Sequence, residues 1–421
     1  MPLFKKAWLL LSHDQKMYVI FIFIMMFIAM ILESISVGIA IPLISILLKG
    51  EVDTSFFSYL FTFGRPTGEN LIYIGLSITF LVFLIKNLAL MFNLWHQKKF
   101  LRKITIEFTS RLFKHYLRSD YIFFLQKNSA HLYRNLTDII GTFVDYINRY
   151  MVLLSEIIVF IGIIFILCYV NFLTTIIVLF SIGVVSFLIY ILTIKKITFF
   201  GKERNVIGGE LNKHLFQGMA SAKDVKILDR EDDLIYQVDK NLFKMTKINH
   251  LMQFINGIPR LLFEVLIVCV FVTLVFLLLG TKKDMIEIIQ YLGIFAIASF
   301  RIIPGATRIF SSYQMISYDE PAIKILLQEF SLKDNSYEKK NYQLNDCDTS
   351  LTFQKEINLK NLSFSYPIRK EFSLSNISMT IRKGDFVGII GETGSGKSTL
   401  VNLLIGLLKP SEGRIEVDEL N

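Results

Sequence analysis

Cysteine is nearly absent. Three residues, Cys168, Cys269 and Cys347, are scattered through 421 positions, and the first two lie in apolar runs. That spacing offers neither a disulfide framework nor a metal-ligand pattern. A cleavable leader is not expected, because the first apolar run is too long for one and no small-residue cleavage site follows it. Proline is missing from two long segments, 96–150 and 195–251. Acidic residues are outnumbered, 36 against 45 Lys and Arg, which leaves a net charge of +9. Such an excess suits a nucleic-acid groove, but here the cations cluster between long apolar runs. That is the positive-inside distribution of a membrane protein, and nucleic acid is not expected as a partner.

What is abundant is apolar surface. Hydrophobic residues make up 53% of the chain. Six stretches are long enough for a hydrocarbon core, which takes about 20 residues of helix. They run over 17–48, 71–95, 151–170, 172–194, 261–279 and 285–303. The third and fourth are separated only at Asn171, which predicts a tight hairpin. Segment 96–118 carries seven Lys or Arg against one acidic residue, Glu107, and 195–247 is again rich in Lys. The short stretches 49–70 and 280–284 carry two Lys or Arg each. This bias puts both termini in the cytoplasm. The two Pro-free segments are too long for structureless loops, so they predict membrane helices that continue into the cytosol. Turn-forming residues mark their tips, Gln126-Lys127-Asn128-Ser129 and Gly218-Met219-Ala220-Ser221. Residues 4–11, with Trp8 and two Lys, predict an interfacial helix. Residues 55–61 are a second amphipathic candidate, either resting on the outer leaflet or forming a packed loop.

Ionisable residues interrupt the apolar runs. Glu33, Lys86, Glu156, Glu264 and Arg301 fall inside them, Arg260 immediately precedes one, and Arg308 lies beyond the sixth. A charge at the bilayer centre costs about 2.5–3.5 kcal/mol on the mildest scale, so such groups face protein or water. Arg301 and Arg308 are two helical turns apart and share a face. Arg260 and Glu264 have the spacing of an i,i+4 pair. Two readings stay open. Either Lys86, Arg260, Arg301 and Arg308 receive an anionic head group, such as phosphate or pyrophosphate, in a wet cavity. Or Lys86 and Arg260 snorkel to the interface while Glu264 and Arg301 serve helix packing.

After Pro321 the apolar pattern fades, and 321–355 reads as a linker whose middle, 333–350, is polar and aperiodic. Short alternating runs at 357–364 and 372–381 then predict antiparallel strands, and 412–417 a further strand. Between them stands Gly391-Glu392-Thr393-Gly394-Ser395-Gly396-Lys397-Ser398, a complete phosphate-binding loop. The apolar run 385–390 predicts a buried strand entering it, and 398–408 a helix leaving it. Glycines let consecutive N–H groups turn toward a phosphate, and the helix dipole adds a favourable field. Lys397 would reach the β- and γ-phosphates of ATP, and the Ser398 hydroxyl would ligate Mg²⁺. Tyr366, followed by Pro367, either stacks on adenine or packs within its turn.

Six spans, two deep cytoplasmic hairpins and Phe364-Ser365-Tyr366-Pro367 followed by the phosphate loop and Thr399 resemble an ABC exporter half-transporter of the type IV fold. Within that family the chain is similar to the bacterial flippases for lipid-linked oligosaccharides, the PglK type. The segments that carry this are Gln126-Lys127-Asn128, Ile258-Pro259-Arg260, Phe300-Arg301-Ile302-Ile303-Pro304 and Thr307-Arg308-Ile309. The resemblance implies a transmembrane domain at 1–320 and the N-terminal fragment of an ATP-binding domain at 356–421. It makes Tyr366 the adenine-stacking residue and Gly391 to Ser398, with Thr399, the Walker A segment. It makes the tips near 121–129 and 217–227 coupling helices. Lys86, Arg260, Arg301 and Arg308 would line the cavity, and Lys86 departs from the Arg expected there, keeping charge without bidentate geometry. A second half-transporter subunit, identical to the first, membrane lipid, a lipid-linked anionic substrate and the bacterial cytoplasmic membrane are further implications.

No glutamine loop, Leu-Ser-Gly-Gly-Gln signature, Walker B acid with its catalytic Glu, or switch His follows Thr399 in this sequence. The expectation is therefore a six-helix membrane domain followed by a truncated α/β phosphate-loop domain that cannot hydrolyse ATP alone. Alternatives are a peptide, drug or lipid A exporter, or a non-catalytic membrane protein. A GTPase-type switch is disfavoured, because no guanine-reading Asn-Lys-x-Asp follows the loop.

Overall fold

The computed structural model describes residues 2–49, 68–170, 172–280, 285–331, 353–367 and 372–418. The expected hairpin residue Asn171, the amphipathic candidate 55–61 and the polar segment 333–350 lie outside these. The chain forms two compact units: Met1–Leu112 with Tyr133–Phe330, and Phe113–Leu132 with Ser331–Asn421.

The first unit is helical because an apolar chain in lipid has to satisfy its backbone internally. In chain order come α1 (Pro2–Leu10), α2 (His13–Lys49), α3 (Gly68–Arg118), α4 (Tyr121–Gln126), α5 (Ser129–Arg134), a π-turn (Asn135–Ile139) and α6 (Ile140–Val170). There follow α7 (Phe172–Ala220), α8 (Ala222–Ile227), α9 (Glu231–Leu279) and α10 (Met285–Ser331). Helix α4 and the end of α3 belong to the second unit. A short helix at the N-terminus, long helices through 96–118 and 195–220 and breaks at both tips form where the sequence predicts them. Five stretches among the described residues are long and apolar enough to cross a membrane: His13–Ser36, Tyr73–Arg118, Ser129–Cys168, Thr175–Ala220 and Glu231–Phe276. The sixth expected span begins α10 and is helical, but it is not one of the five.

Packing in this unit runs between helices distant in sequence. Val159 and Ile163 of α6, Val178 and Ile182 of α7, Phe263 and Ile267 of α9, and Ile302 of α10 form one core. Ile197 and Ile207 of α7, Ile248 and Met252 of α9, and Tyr318 of α10 form another. At Gly201 a Cβ would run into the backbone carbonyl of Tyr318, so α7 and α10 cross with almost no gap. One turn on, Arg204 pairs with buried Asp319 at 3.2 Å. The expected linker start is corrected here. Helix α10 runs through Pro321 to Ser331, because Ala322, Ile323, Leu326 and Phe330 are buried along one face and that burial outweighs the hydrogen bond lost at proline.

The second unit holds a three-stranded antiparallel sheet in the order β2-β1-β3: β1 (Glu356–Phe364), β2 (Leu374–Arg382) and β3 (Glu412–Val417). The three strands fall where alternation places them. The Asp418 carboxylate accepts the N–H groups of Gln354, Lys355 and Glu356, pinning the start of β1. Leu359, Leu362, Phe364 and Leu374 of the sheet pack with Leu400 and Leu403 of α11 (Lys397–Leu404) and with Leu408. Two expectations fail. Residues 385–390 form no strand, and Phe386 and Ile390 are fully exposed. A central strand needs a partner on each side, and none of the described strands pairs with this run. The helix expected over 398–408 is shorter, since Gly406 turns left-handed at φ +75° after Ile405.

Two predictions follow from the α7–α10 crossing. Gly201→Val lowers the thermal unfolding midpoint in detergent by an amount equivalent to roughly 1–3 kcal/mol of overpacking, whereas the same change at Gly141, where a Cβ meets open space, does not. Asp319 lies beyond the apolar runs, and burial pushes its carboxyl up to about 6 despite Arg204, with Asp145 adding to the rise and Arg149 opposing it. The folded chain therefore holds this proton more tightly than the unfolded chain. Stability is highest below about pH 4 for this group and falls by on the order of 3 kcal/mol as pH rises to about 6. Asp319→Asn removes that slope from a pH series of unfolding midpoints.

Candidate functional site

The phosphate loop is built locally. Gly394 and Gly396 sit at φ +92° and +90°, the region in which an L side chain is strained. At Gly396 a Cβ would also lie 2.7 Å from Leu374 Cδ2 and 2.8 Å from the Ser373 carbonyl, so glycine is required there twice over. A Cβ on Gly391 would meet Ser395 Oγ at 2.7 Å. Lys397 Nζ donates to the carbonyls of Gly391 at 2.8 Å and Glu392 at 2.6 Å, laying its ammonium across the loop. Glu392, Thr393 and Ser398 are exposed, and Thr399 is buried behind them.

Tyr366 is tied to this loop from the sheet side. Its hydroxyl lies 3.2 Å from Thr399 Oγ1, and its ring meets Phe364 edge-on at 4.9 Å. The turn-packing reading is thus present in the geometry, and it holds Tyr366 beside the loop. The residues fit a nucleotide triphosphate: left-handed glycines open the loop backbone, an ammonium spans it, and a hydroxyl is exposed at the start of α11. Among the described residues no group of three His, Cys, Asp or Glu is placed to hold a metal. Mg²⁺ would arrive with the phosphates and take one protein ligand, Ser398. Against the same core pack Tyr121 and Ile122 of α4, the first expected coupling tip. The second tip, α8, buries no residue, and Ile227 and Leu228 are exposed.

The charges inside the helical unit form a chain. Lys86 Nζ of α3 lies 3.7 Å from Glu33 Oε1 of α2. Glu33 Oε2 accepts from Arg301 Nη2 of α10 at 2.6 Å, and that nitrogen is 3.9 Å from Glu156 Oε2 of α6. Glu156 in turn takes Arg308 in a two-point contact, Nε at 2.7 Å and Nη2 at 3.2 Å. Three of the four expected cations therefore meet, held by two carboxylates that the sequence marks as misplaced charges without giving them partners. The usable signal was the cost of an unpaired Glu in an apolar helix, which forces a cationic neighbour. Arg260 stands apart. It makes the expected i,i+4 pair with Glu264 at 3.0 Å, and its side chain is 72% exposed. Pro259 precedes it, and Pro304 lies between Arg301 and Arg308, so proline interrupts the helix ladder at both cationic positions.

The sheet, the loop and α11 have counterparts in known proteins. Residues 374–421 match the ABC transporter family. The ATP-binding protein EcfA of an energy-coupling factor transporter from Syntrophomonas wolfei is 49% identical over 65 residues, 15% of this chain and 24% of the relative. The nisin transport ATP-binding protein NisT of Lactococcus lactis is 35% identical over 105 residues, 25% of this chain and 17% of that protein. The multidrug resistance-like ATP-binding protein MdlB of Buchnera aphidicola is 37% identical over 124 residues, 25% and 20% respectively. The chain spans about a fifth of the length of these relatives. An ABC-type ATP-binding segment thus follows a helical region with five apolar candidate spans.

Lys397→Ala is expected to weaken Mg-nucleotide binding by roughly 10- to 100-fold, the loss of one charge-assisted contact. Titration of the purified chain with a fluorescent ATP analogue checks this. An unchanged affinity would remove the loop from nucleotide binding.

Proposed function

We propose that the chain is one subunit of an ATP-driven membrane translocase that moves an amphipathic anion, with a lipid-linked oligosaccharide as the favoured substrate. The observation that carries this is the convergence of Lys86, Arg301 and Arg308 on two carboxylates inside the helical unit, where a cation excess serves an anionic head group better than it serves packing. ATP supplies the binding energy and the cleavable phosphoryl bond. Lys397 would hold its β- and γ-phosphates, the N–H groups of Gly391 to Ser398 would cradle them, and Tyr366 would face the adenine. Tyr121 and Ile122 would carry movement of the ATP-binding core into the ends of α3 and α5, to which they are covalently joined. A second, identical subunit is part of the reading, supported by exposed Met219, Ile227 and Leu228 around the second tip. The setting is the bacterial cytoplasmic membrane, with both termini inside.

Export of a peptide or drug is the second reading, favoured by the similarity to proteins named for nisin transport and multidrug resistance. The two readings separate on charge. With vesicle-reconstituted protein, Arg301→Ala should weaken binding of a fluorescent polyprenyl pyrophosphate about tenfold or more and leave an uncharged prenyl analogue unaffected. Arg260→Ala, outside the ion chain, should have a smaller effect. Equal binding of the charged and uncharged probes by the unaltered protein would favour the peptide or drug reading.

A further inference from the structure

The five charges alternate along a line, Lys86, Glu33, Arg301, Glu156, Arg308, with cations at both ends. Fully ionised they sum to one positive charge. Side-chain exposure along the line is 12% at Lys86, 5% at Glu33, 22% at Arg301 and 12% at Glu156, and it is greatest at the Arg308 end, 43%. Solvent or a ligand therefore reaches Arg308 first. Arg301 keeps a donor in reserve, since its Nε is buried and has no hydrogen-bond partner among the described residues. The carboxylate of Glu156 contacts Arg308 as a phosphate would, through two parallel N–H groups, and it lies on a different helix from both arginines.

We propose that Glu156, backed by Glu33, is a resident counter-anion: it occupies the guanidinium positions that a phosphate head group takes, and ligand binding proceeds by exchange of carboxylate for phosphate. This rests on the anionic-substrate reading above and adds a regulating residue to that site. The exchange starts at Arg308, where the line is open. A phosphate bridging Arg308 and Arg301 satisfies the vacant Arg301 Nε, and its charge of about −1.5 to −2 more than offsets the surplus of one. Glu156 is then released from α10, so occupancy of the site is converted into a loosened α6–α10 contact. Gly305 stands between the two arginines on α10, and a Cβ there would lie 3.5 Å from Glu156 Oε2, so the carboxylate sits close against the α10 backbone. No covalent step is involved. Selectivity follows from the competition: a weakly charged ligand fails to displace the carboxylate, while a phosphate monoester or pyrophosphate succeeds.

The test uses the full chain in neutral detergent with a dansyl-labelled dodecyl phosphate, an uncharged dansyl-labelled dodecanol and inorganic phosphate. Glu156→Gln is expected to bind the alkyl phosphate about tenfold more tightly than the unaltered chain, because the competitor is gone while both arginines remain. Arg301→Gln and Arg308→Gln are expected to bind it about tenfold more weakly, and the alcohol should distinguish none of the variants. Inorganic phosphate should compete only at far higher concentration if the site takes a lipid head group. Equal potency would assign the site to free phosphate, with the exchange unchanged. Weaker binding by the arginine variants together with unchanged or weaker binding by Glu156→Gln overturns the counter-anion role and leaves the anion site standing. No effect of the arginine variants overturns both. Should Glu156→Gln fail to fold, Glu156→Asp keeps the charge but shortens its reach. It should bind the alkyl phosphate severalfold more tightly than the unaltered chain, and unchanged affinity refutes the exchange.

Discussion

Charge placed in an apolar bundle has to be balanced, and the helical unit is organised around that requirement. Four helices, α2, α3, α6 and α10, contribute to one line of ion pairs. Buried ion pairs seldom earn their place through stability, because desolvation consumes most of the Coulombic gain and well-packed apolar residues do as well or better. A bundle shaped for stability alone would fill these positions with Leu or Ile, as it does in the core of Val159, Ile163 and Phe263 nearby. Five ionisable groups in their place make sense when an ion from outside has to be accommodated.

Balance also explains why the cations could not be read as a free patch. Sequence spacing placed Arg301 and Arg308 on one face and paired Arg260 with Glu264, and both relations hold because they are local to one helix. The partners of Arg301 and Arg308 come from α2 and α6, 268 and 152 residues away along the chain. No periodicity within a helix encodes which carboxylate crosses to which guanidinium. The same limit hid the pairing of Arg204 with Asp319 and the backbone crossing at Gly201.

The second unit divides along the same line between local and distant causes. The turn at Gly394 and Gly396 and the helix start at Lys397 fall where the sequence puts them, since left-handed glycines and a helix start are properties of a few consecutive positions. Strands β1, β2 and β3 were legible because alternation survives on a half-buried antiparallel sheet. The run 385–390 was misread for the complementary reason. Its apolar side chains signal burial, but burial and a strand ladder come from neighbours, and the described sheet places none beside it. The linker start was misread because Pro321 marks a helix end only when nothing holds the next turns, and Ile323 and Leu326 are fully buried there.

One connection was visible to neither argument alone. The α4 tip, whose Tyr121 and Ile122 pack on the ATP-binding core, is flanked in sequence by α3 on one side and by α5, the π-turn and α6 on the other. Helix α3 carries Lys86 and is unbroken from Gly68 to Arg118, while α6 carries Glu156. The two arms leading away from the tip are therefore the two helices that the ion line joins through Glu33 and Arg301. The arms differ in continuity. The α3 arm is continuous helix, whereas the other contains the π-turn at Asn135–Ile139, where the hydrogen-bond ladder shifts by one residue. Single π-turns inside α-helices are rare and are frequent at functional sites.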